Sequence, residues 1–248
     1  TYQDALNRIY EDMVVRKAPN RPPVDSVGLP SNIVERDSIY ELMIVPRDWT
    51  RFDLGYWEQF GISLDTLKFY NVVPISGYYA KFGFAIDNHF VATPGLAFAY
   101  LEFKDSRLTY KIYRPYASKK NKWRNTHPYN VHDGYIQLPK AGSILIITKS
   151  RKDVMCLYEN LEVPAIGIQS ETCFMKESVV KEYKIRFLDV ITLFDNDEQG
   201  KKISKEYETK YNIPGICIPE ELGVKDPSDL IRSYGKEEGI KQLKKLLV

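Results

Sequence analysis

Asp195 and Asp197 stand two residues apart, directly after the apolar run Val190-Ile191-Thr192-Leu193-Phe194. A β-branched run of that length reads as a buried strand, and a helical stretch follows it. Two carboxylates at the carboxyl end of such a strand point into the crevice where open α/β sheets bind ligands. Side by side they repel unless a cation lies between them. Oxygen-only donors of this kind suit Mg²⁺ or Mn²⁺ and the phosphates those ions carry. An isolated D-x-D has a second reading, an Asx turn capping the next helix. The surrounding elements must decide.

From Gly142 onward, buried-strand patterns over 143–147, 164–168, 190–194 and 215–218 alternate with helical patterns over 151–160, 171–186 and 198–211. Further helices follow over 227–234 and 237–247. Strands alternating with helices predict a compact parallel four-stranded sheet with right-handed crossovers. Its strand ends share one rim: Lys149, Ser170 with Glu171, Asp195 to Asp197, and the loop Lys225-Asp226-Pro227-Ser228-Asp229. Asp226 before Pro227 is either a third member of the acidic cluster or an ordinary helix cap.

The first half differs. Residues 1–46 are expected to hold a helix over 4–15 and a Pro-rich arm around 18–23. Residues 47–140 begin with short helices, one ending near Gly61 and one over 64–69 capped by Ser63. Short Tyr-, Phe-, Ile- and Val-rich segments from 72 to 138 then predict a mixed or antiparallel sheet. Residues 141–248 form the third unit. Between Lys104 and Arg124 eight cations face one acid, Asp105, with Tyr110, Tyr113, Tyr116 and Trp123 threaded among them. Basic side chains release counterions from a phosphate backbone, and aromatic faces stack on unpaired bases. Edge-strand protection by lysine is the alternative.

Composition limits the class. The chain has 248 residues, 44% apolar and 13% aromatic, with a net charge of only +2. That is the make-up of a folded protein with room for a proper core. Cys156, Cys173 and Cys217 are widely spaced and form no C-x-x-C pair, so a disulfide framework and a zinc module are both unexpected. No run approaches the roughly 20 apolar residues of a membrane span, and no secretory signal is present. A reducing cytoplasmic setting is expected. His89, His127 and His132 lack ligand spacing and read as surface or locally bonded. A start at Thr1 suggests a piece of a longer chain.

These features together resemble a TOPRIM domain, the metal-binding unit of bacterial-type (DnaG-like) primases, topoisomerases and some nucleases. The matching residues are Phe194-Asp195-Asn196-Asp197 with Gly200, Asp226-Pro227, and the run Ile146 to Val154, which resembles the family's first-strand motif. Lys122-Trp123-Arg124-Asn125 resembles the Lys–aromatic–x–Asn turn upstream of TOPRIM in primases, and Tyr56-Trp57 through Val72 resembles the start of the primase core. Three positions depart from the pattern. The first-strand glutamate is Lys149, its glycine is Ser150, and the second acid of the family's D-P-D is Ser228.

The resemblance implies a primase catalytic core: a mixed α+β basic subdomain followed by a TOPRIM subdomain, joining ribonucleoside triphosphates on a single-stranded DNA template. Asp195, Asp197 and Asp226 would hold Mg²⁺ or Mn²⁺. Glu171 is the nearest rim acid to replace the missing glutamate, and a helix-starting glutamate is its simpler reading. Lys149 would neutralise triphosphate, and Asp153 would support the site from behind. Arg114, Lys119, Lys120, Lys122, Trp123, Arg124 and Asn125 would contact template or nucleotide. A replicative helicase, fused or separate, is an expected partner. The rival readings are a binding module without catalysis and a TOPRIM nuclease.

Overall fold

The computed structural model describes residues 39–82, 89–104, 107–128, 130–169 and 174–247. The expected helix over 4–15, the Pro-rich arm and Glu171 lie outside them. The described chain begins with strand β1 (Ile39–Pro46), helices α1 (Arg51–Glu58) and α2 (Leu64–Phe69), and strands β2 (Val72–Phe82), β3 (His89–Ala92), β4 (Phe98–Lys104), β5 (Arg107–Tyr113) and β6 (Trp123–Asn125). They form one antiparallel sheet in the order β1-β2-β4-β5-β6, with β3 also paired to β2. The segment 39–46, read from sequence as the end of an arm, is a paired strand with Leu42 inward and Met43 outward. Helix α1 starts at Arg51 because Thr50 and Asp53 close a reciprocal capping box. Arg47 then clamps Asp53 through both guanidinium nitrogens, at 2.5 and 2.7 Å.

The remaining elements are β7 (Gly142–Thr148), α3 (Arg151–Leu161), β8 (Ala165–Gly167), α4 (Glu177–Arg186), β9 (Phe187–Leu193), α5 (Glu198–Tyr211), β10 (Gly215–Ile216), α6 (Pro227–Tyr234) and α7 (Lys236–Leu246). The four strands are all parallel, in the order β10-β9-β7-β8. Chain order reverses between β7 and β9, which is where an open α/β sheet leaves its ligand crevice. The residues just past these two strands therefore meet, and they are Lys149 and Asp195.

Successive residues of β7 face opposite layers. Leu145 and Ile147 pack with Tyr183 of α4 and Ile203 and Tyr207 of α5. Ile146 turns the other way, into a core with Val154 and Leu157 of α3, Leu230 of α6, and Trp57, Leu67 and Phe98 from the antiparallel half. One continuous core thus joins both sheets.

A buried ionic network crosses the same junction. Arg151, whose side chain is fully buried at the start of α3, donates to Asp133 at 3.1 Å and pairs with Glu102 of β4. It also donates to the Tyr70 carbonyl at 2.9 Å. Lys111 of β5 reaches the other Asp133 oxygen at 3.1 Å, and the Gly134 amide donates to Glu102 at 3.0 Å. Two cations meet two anions. Burial opposes ionisation of Asp133, but Lys111 and Arg151 outweigh it and hold its carboxyl well below the ordinary range. Burial raises the Glu102 carboxyl. Asp133 also exchanges backbone hydrogen bonds with Gly167 of β8, at 2.8 and 2.9 Å.

Of the histidines read as surface or locally bonded, His127 and His132 are bonded and buried. His132 contacts the Tyr183 hydroxyl at 2.8 Å and His127 contacts Thr109 at 2.6 Å. Burial pushes His127 down to about 3.

Two outcomes follow for stability. Arg151→Met leaves both acids facing an apolar stem and is expected to cost about 3–5 kcal/mol in urea denaturation. His127 takes up its proton only on unfolding, so its contribution is complete above pH 6.5 and falls as the solution is acidified toward pH 3. Between pH 7 and pH 5 the loss should be about 2 kcal/mol, and His127→Leu should lack that share of the slope.

Candidate active site

Phe194 is buried under α5, and the chain then leaves the sheet as Asp195-Asn196-Asp197. Asp197 is the N-cap of α5: its side chain accepts from the Gly200 amide at 3.0 Å. That bond and Lys225 at 3.4 Å hold its carboxyl below the usual range, with the Gly200 amide the larger cause. The capping reading of the motif is therefore realised in Asp197, whose second oxygen faces the exposed Lys225 ammonium. Lys149 donates to Asp195 at 3.0 Å across the switch point. Gly200 is required because the first turn of α5 lies directly on the Asp195 carbonyl, where any Cβ would collide.

The second acidic loop adjoins the first. The Asn196 amide donates to the Lys225 carbonyl at 2.8 Å. Asp226 caps α6 through the Asp229 amide at 2.7 Å. Ser228, fully buried, lies 2.6 Å from Asp226 and 2.7 Å from Asp153. Its single hydroxyl proton can serve only one of these carboxylates at a time, so a proton on one of the two carboxyls completes the pair of bonds, and Asp153 is the one disposed to carry it. The electrostatics agree. Burial and the Asp226 charge raise Asp153, whereas Lys152 and Ser228 outweigh burial at Asp226 and lower it. An acid at position 228 would add a third carboxylate to this buried pair.

The β5–β6 hairpin carries the basic turn. Tyr113 and Trp123 are register partners, stacked with ring centroids 4.4 Å apart. The Tyr113 hydroxyl is held 2.7 Å from that of Tyr56, while Trp123 remains 37% exposed. Lys111 lies 5.2 Å from the Trp123 ring and Lys122 5.7 Å from the Tyr113 ring. Asn125 donates to Gln169, just beyond β8, at 3.3 Å, which ties the hairpin to the parallel-sheet rim. Arg124 folds back onto its own turn, donating to the Lys120 and Trp123 carbonyls and to Asn121. Lys119 and Lys120 are exposed, and Arg114 and Lys122 are half-buried.

Asp195, Asp197 and Lys149 are thus brought together. Among the described residues, no three His, Cys, Asp or Glu side chains are grouped to hold a metal ion, so Asp226 does not complete such a cluster there. The donor chemistry nonetheless fits a hard divalent cation. Mg²⁺ commonly takes one or two carboxylates and completes its shell with phosphate and water. Between the two aspartates, the Asn196 side-chain oxygen is buried without a hydrogen-bond partner. Arg151, Glu102 and Asp133 escaped the sequence reading, since nothing local marks residues so far apart as one network.

No protein-family model matches the sequence, and no curated protein matches it either. Solved structures do match, and they define the fold as that of the DnaG-type primase catalytic core. The primase fragment of the bacteriophage T7 primase-helicase aligns over 86% of this chain and 82% of its own, at 16% identity and a TM-score of 0.53. The E. coli primase catalytic core aligns over 76% and 72%, at 12% identity and 0.54. A DnaG primase catalytic domain bound to single-stranded DNA aligns over 77% and 72%, at 14% and 0.54.

The two roles of Asp197 are separable. Asp197→Ala should lose about 1 kcal/mol of stability through the missing cap, whereas Asp197→Asn keeps an acceptor and should melt close to wild type. Thermal denaturation of both variants checks this.

Proposed function

We propose that this chain is a primase-type catalytic core that makes short RNA primers on single-stranded DNA. The observation that carries the reading is the D-x-D pair at the switch point of a parallel sheet, with a basic aromatic hairpin tied to the same rim. Asp195 and Asp197 would hold a Mg²⁺ or Mn²⁺ ion. The bound ion would lower the pKa of the attacking 3′-hydroxyl and offset charge on the leaving pyrophosphate. Nucleotidyl transfer asks little covalent chemistry of the protein, so its own residues act by position and charge. Lys149 places an ammonium group at the rim for the triphosphate, while Lys152 is paired with Asp226 and Asp229. Trp123, braced on Tyr113, offers a ring face to an unpaired base. Lys119, Lys120, Lys122 and Arg114 track the template backbone, while Arg124 and Asn125 shape the turn that presents them. Asp226 sets the rim by capping α6.

A template and nucleotides of this kind place the work in the cytoplasm. The T7 neighbour is a primase-helicase protein, and a helicase, fused or separate, is a fitting partner here. One observation favours binding without catalysis: a lysine already neutralises Asp195. Incubation with Mg²⁺ or Mn²⁺, labelled ribonucleotides and single-stranded DNA separates the readings by product. Oligomers mean a primase, fragments a nuclease, and neither a binding module.

Asp195→Ala with Asp197→Ala should abolish dinucleotide synthesis and leave DNA binding near wild type; undiminished synthesis would remove the mechanism. Lys122→Ala with Trp123→Ala should weaken single-strand binding by roughly tenfold or more and flatten its salt dependence. Titrations of a labelled oligonucleotide at two salt concentrations test it.

A further inference from the structure

The β5–β6 hairpin is held to the parallel sheet at two points. One is buried and ionic: Lys111 of β5 pairs with Asp133 at 3.1 Å, and Asp133 exchanges backbone hydrogen bonds with Gly167 of β8. The other lies two residues further along the chain from Gly167, where Asn125 of β6 donates to Gln169 at 3.3 Å. Asn125 is exposed, Gln169 is half-buried and both amides are neutral, so this second tie is the weaker. It is also the one beside Lys122 and Trp123, the residues read above as strand contacts.

Amide orientations at this tie are dictated from one end. The His127 backbone amide donates to the Asn125 side-chain oxygen at 2.8 Å. Asn125 therefore turns Nδ2 toward Gln169, and Gln169 must present Oε1 to it. Turning either amide over would set two donors against each other. Gln169 Nε2 is left buried, with no hydrogen-bond partner among the described residues. An unpaired buried donor opposes folding, and an apolar side chain of the same length would not carry it. Exposed Asn125 could bond to water instead. Local stability thus speaks against a glutamine here, and breaches of that kind mark functional positions. What Gln169 does accomplish is to hold the end of the hairpin.

We infer that Gln169 is a positioning residue for the single-stranded template. Its side-chain oxygen holds Asn125, and through Asn125 it fixes the stretch from Lys122 to Asn125 against the rim. Gln169 itself need not touch the strand. A fixed hairpin has less conformational freedom to lose when the strand arrives, which favours binding without any added contact. This inference rests on the reading of the hairpin as the strand-binding element.

Gln169→Met keeps the side-chain length and removes both amide atoms. The full chain with this change should bind a fluorescein-labelled single-stranded DNA of mixed sequence roughly threefold to tenfold more weakly, the range of one net hydrogen bond. The salt dependence of binding should match wild type, because no phosphate contact is lost. Its thermal midpoint should equal or exceed that of wild type, since the orphaned donor is gone; a residue serving only the frame would lower it. Asn125→Ala completes a double-mutant cycle: adding Gln169→Met to it should weaken binding no further, because the two side chains act as one unit. Unchanged binding in Gln169→Met, a lowered thermal midpoint, or additive losses in the cycle would overturn the inference. Failure of the underlying reading has another signature. Lys122→Ala with Trp123→Ala would then bind the DNA as wild type does, or wild type would bind none, and the inference would fall with it.

Discussion

Arg151 is the constraint on which the rest of the structure depends. It is a permanent cation with no access to water, and it must find anions inside the protein. Glu102 comes from β4 and Asp133 from the connector that pairs with β8, so meeting that requirement fixes how the two sheets approach each other. Lys111 balances the remaining charge and at the same time lies against the Trp123 ring. One buried network therefore sets the β7–α3 turn, which carries Lys149, and the hairpin, which carries the aromatic pair.

The rim then divides its labour. Asp197 and Asp226 each cap a helix, which spends one oxygen on structure and orients the other. Asp153 is buried behind them, its carboxyl raised by burial and by the Asp226 charge, and it is linked to Asp226 through Ser228. A rim of anionic oxygens with fixed ammonium groups beside it suits a ligand that itself carries both phosphate and a divalent ion.

Much of this was legible in the residues. The parallel sheet was, because its strands are short apolar runs bounded by helical periodicity, and Ser63, Asp197 and Asp226 stand at helix starts where cap chemistry requires them. Residues 39–46 were misread because they follow a long polar stretch and end at Pro46, which hides the alternation of Leu42 and Met43. Strand β9 begins at Phe187 rather than Val190, since Leu188 and Asp189 are exposed and break the apolar run. His127 and His132 are bonded, one of the two readings open to them, but burial of a neutral imidazole leaves no mark in spacing. Strand order was equally hidden: alternation of strands and helices gives a parallel sheet, but only pairing shows which two strand ends meet.

The single core beneath both sheets has a consequence for how the chain folds. Ile146, Met155 and Leu157 find their neighbours in Trp57, Leu67 and Phe98, which are encoded far upstream. A fragment beginning at Gly142 would keep its sheet yet present that greasy face to solvent. The carboxyl-terminal half thus shares its core with the elements upstream of it, and its apolar packing is complete only when both are in place.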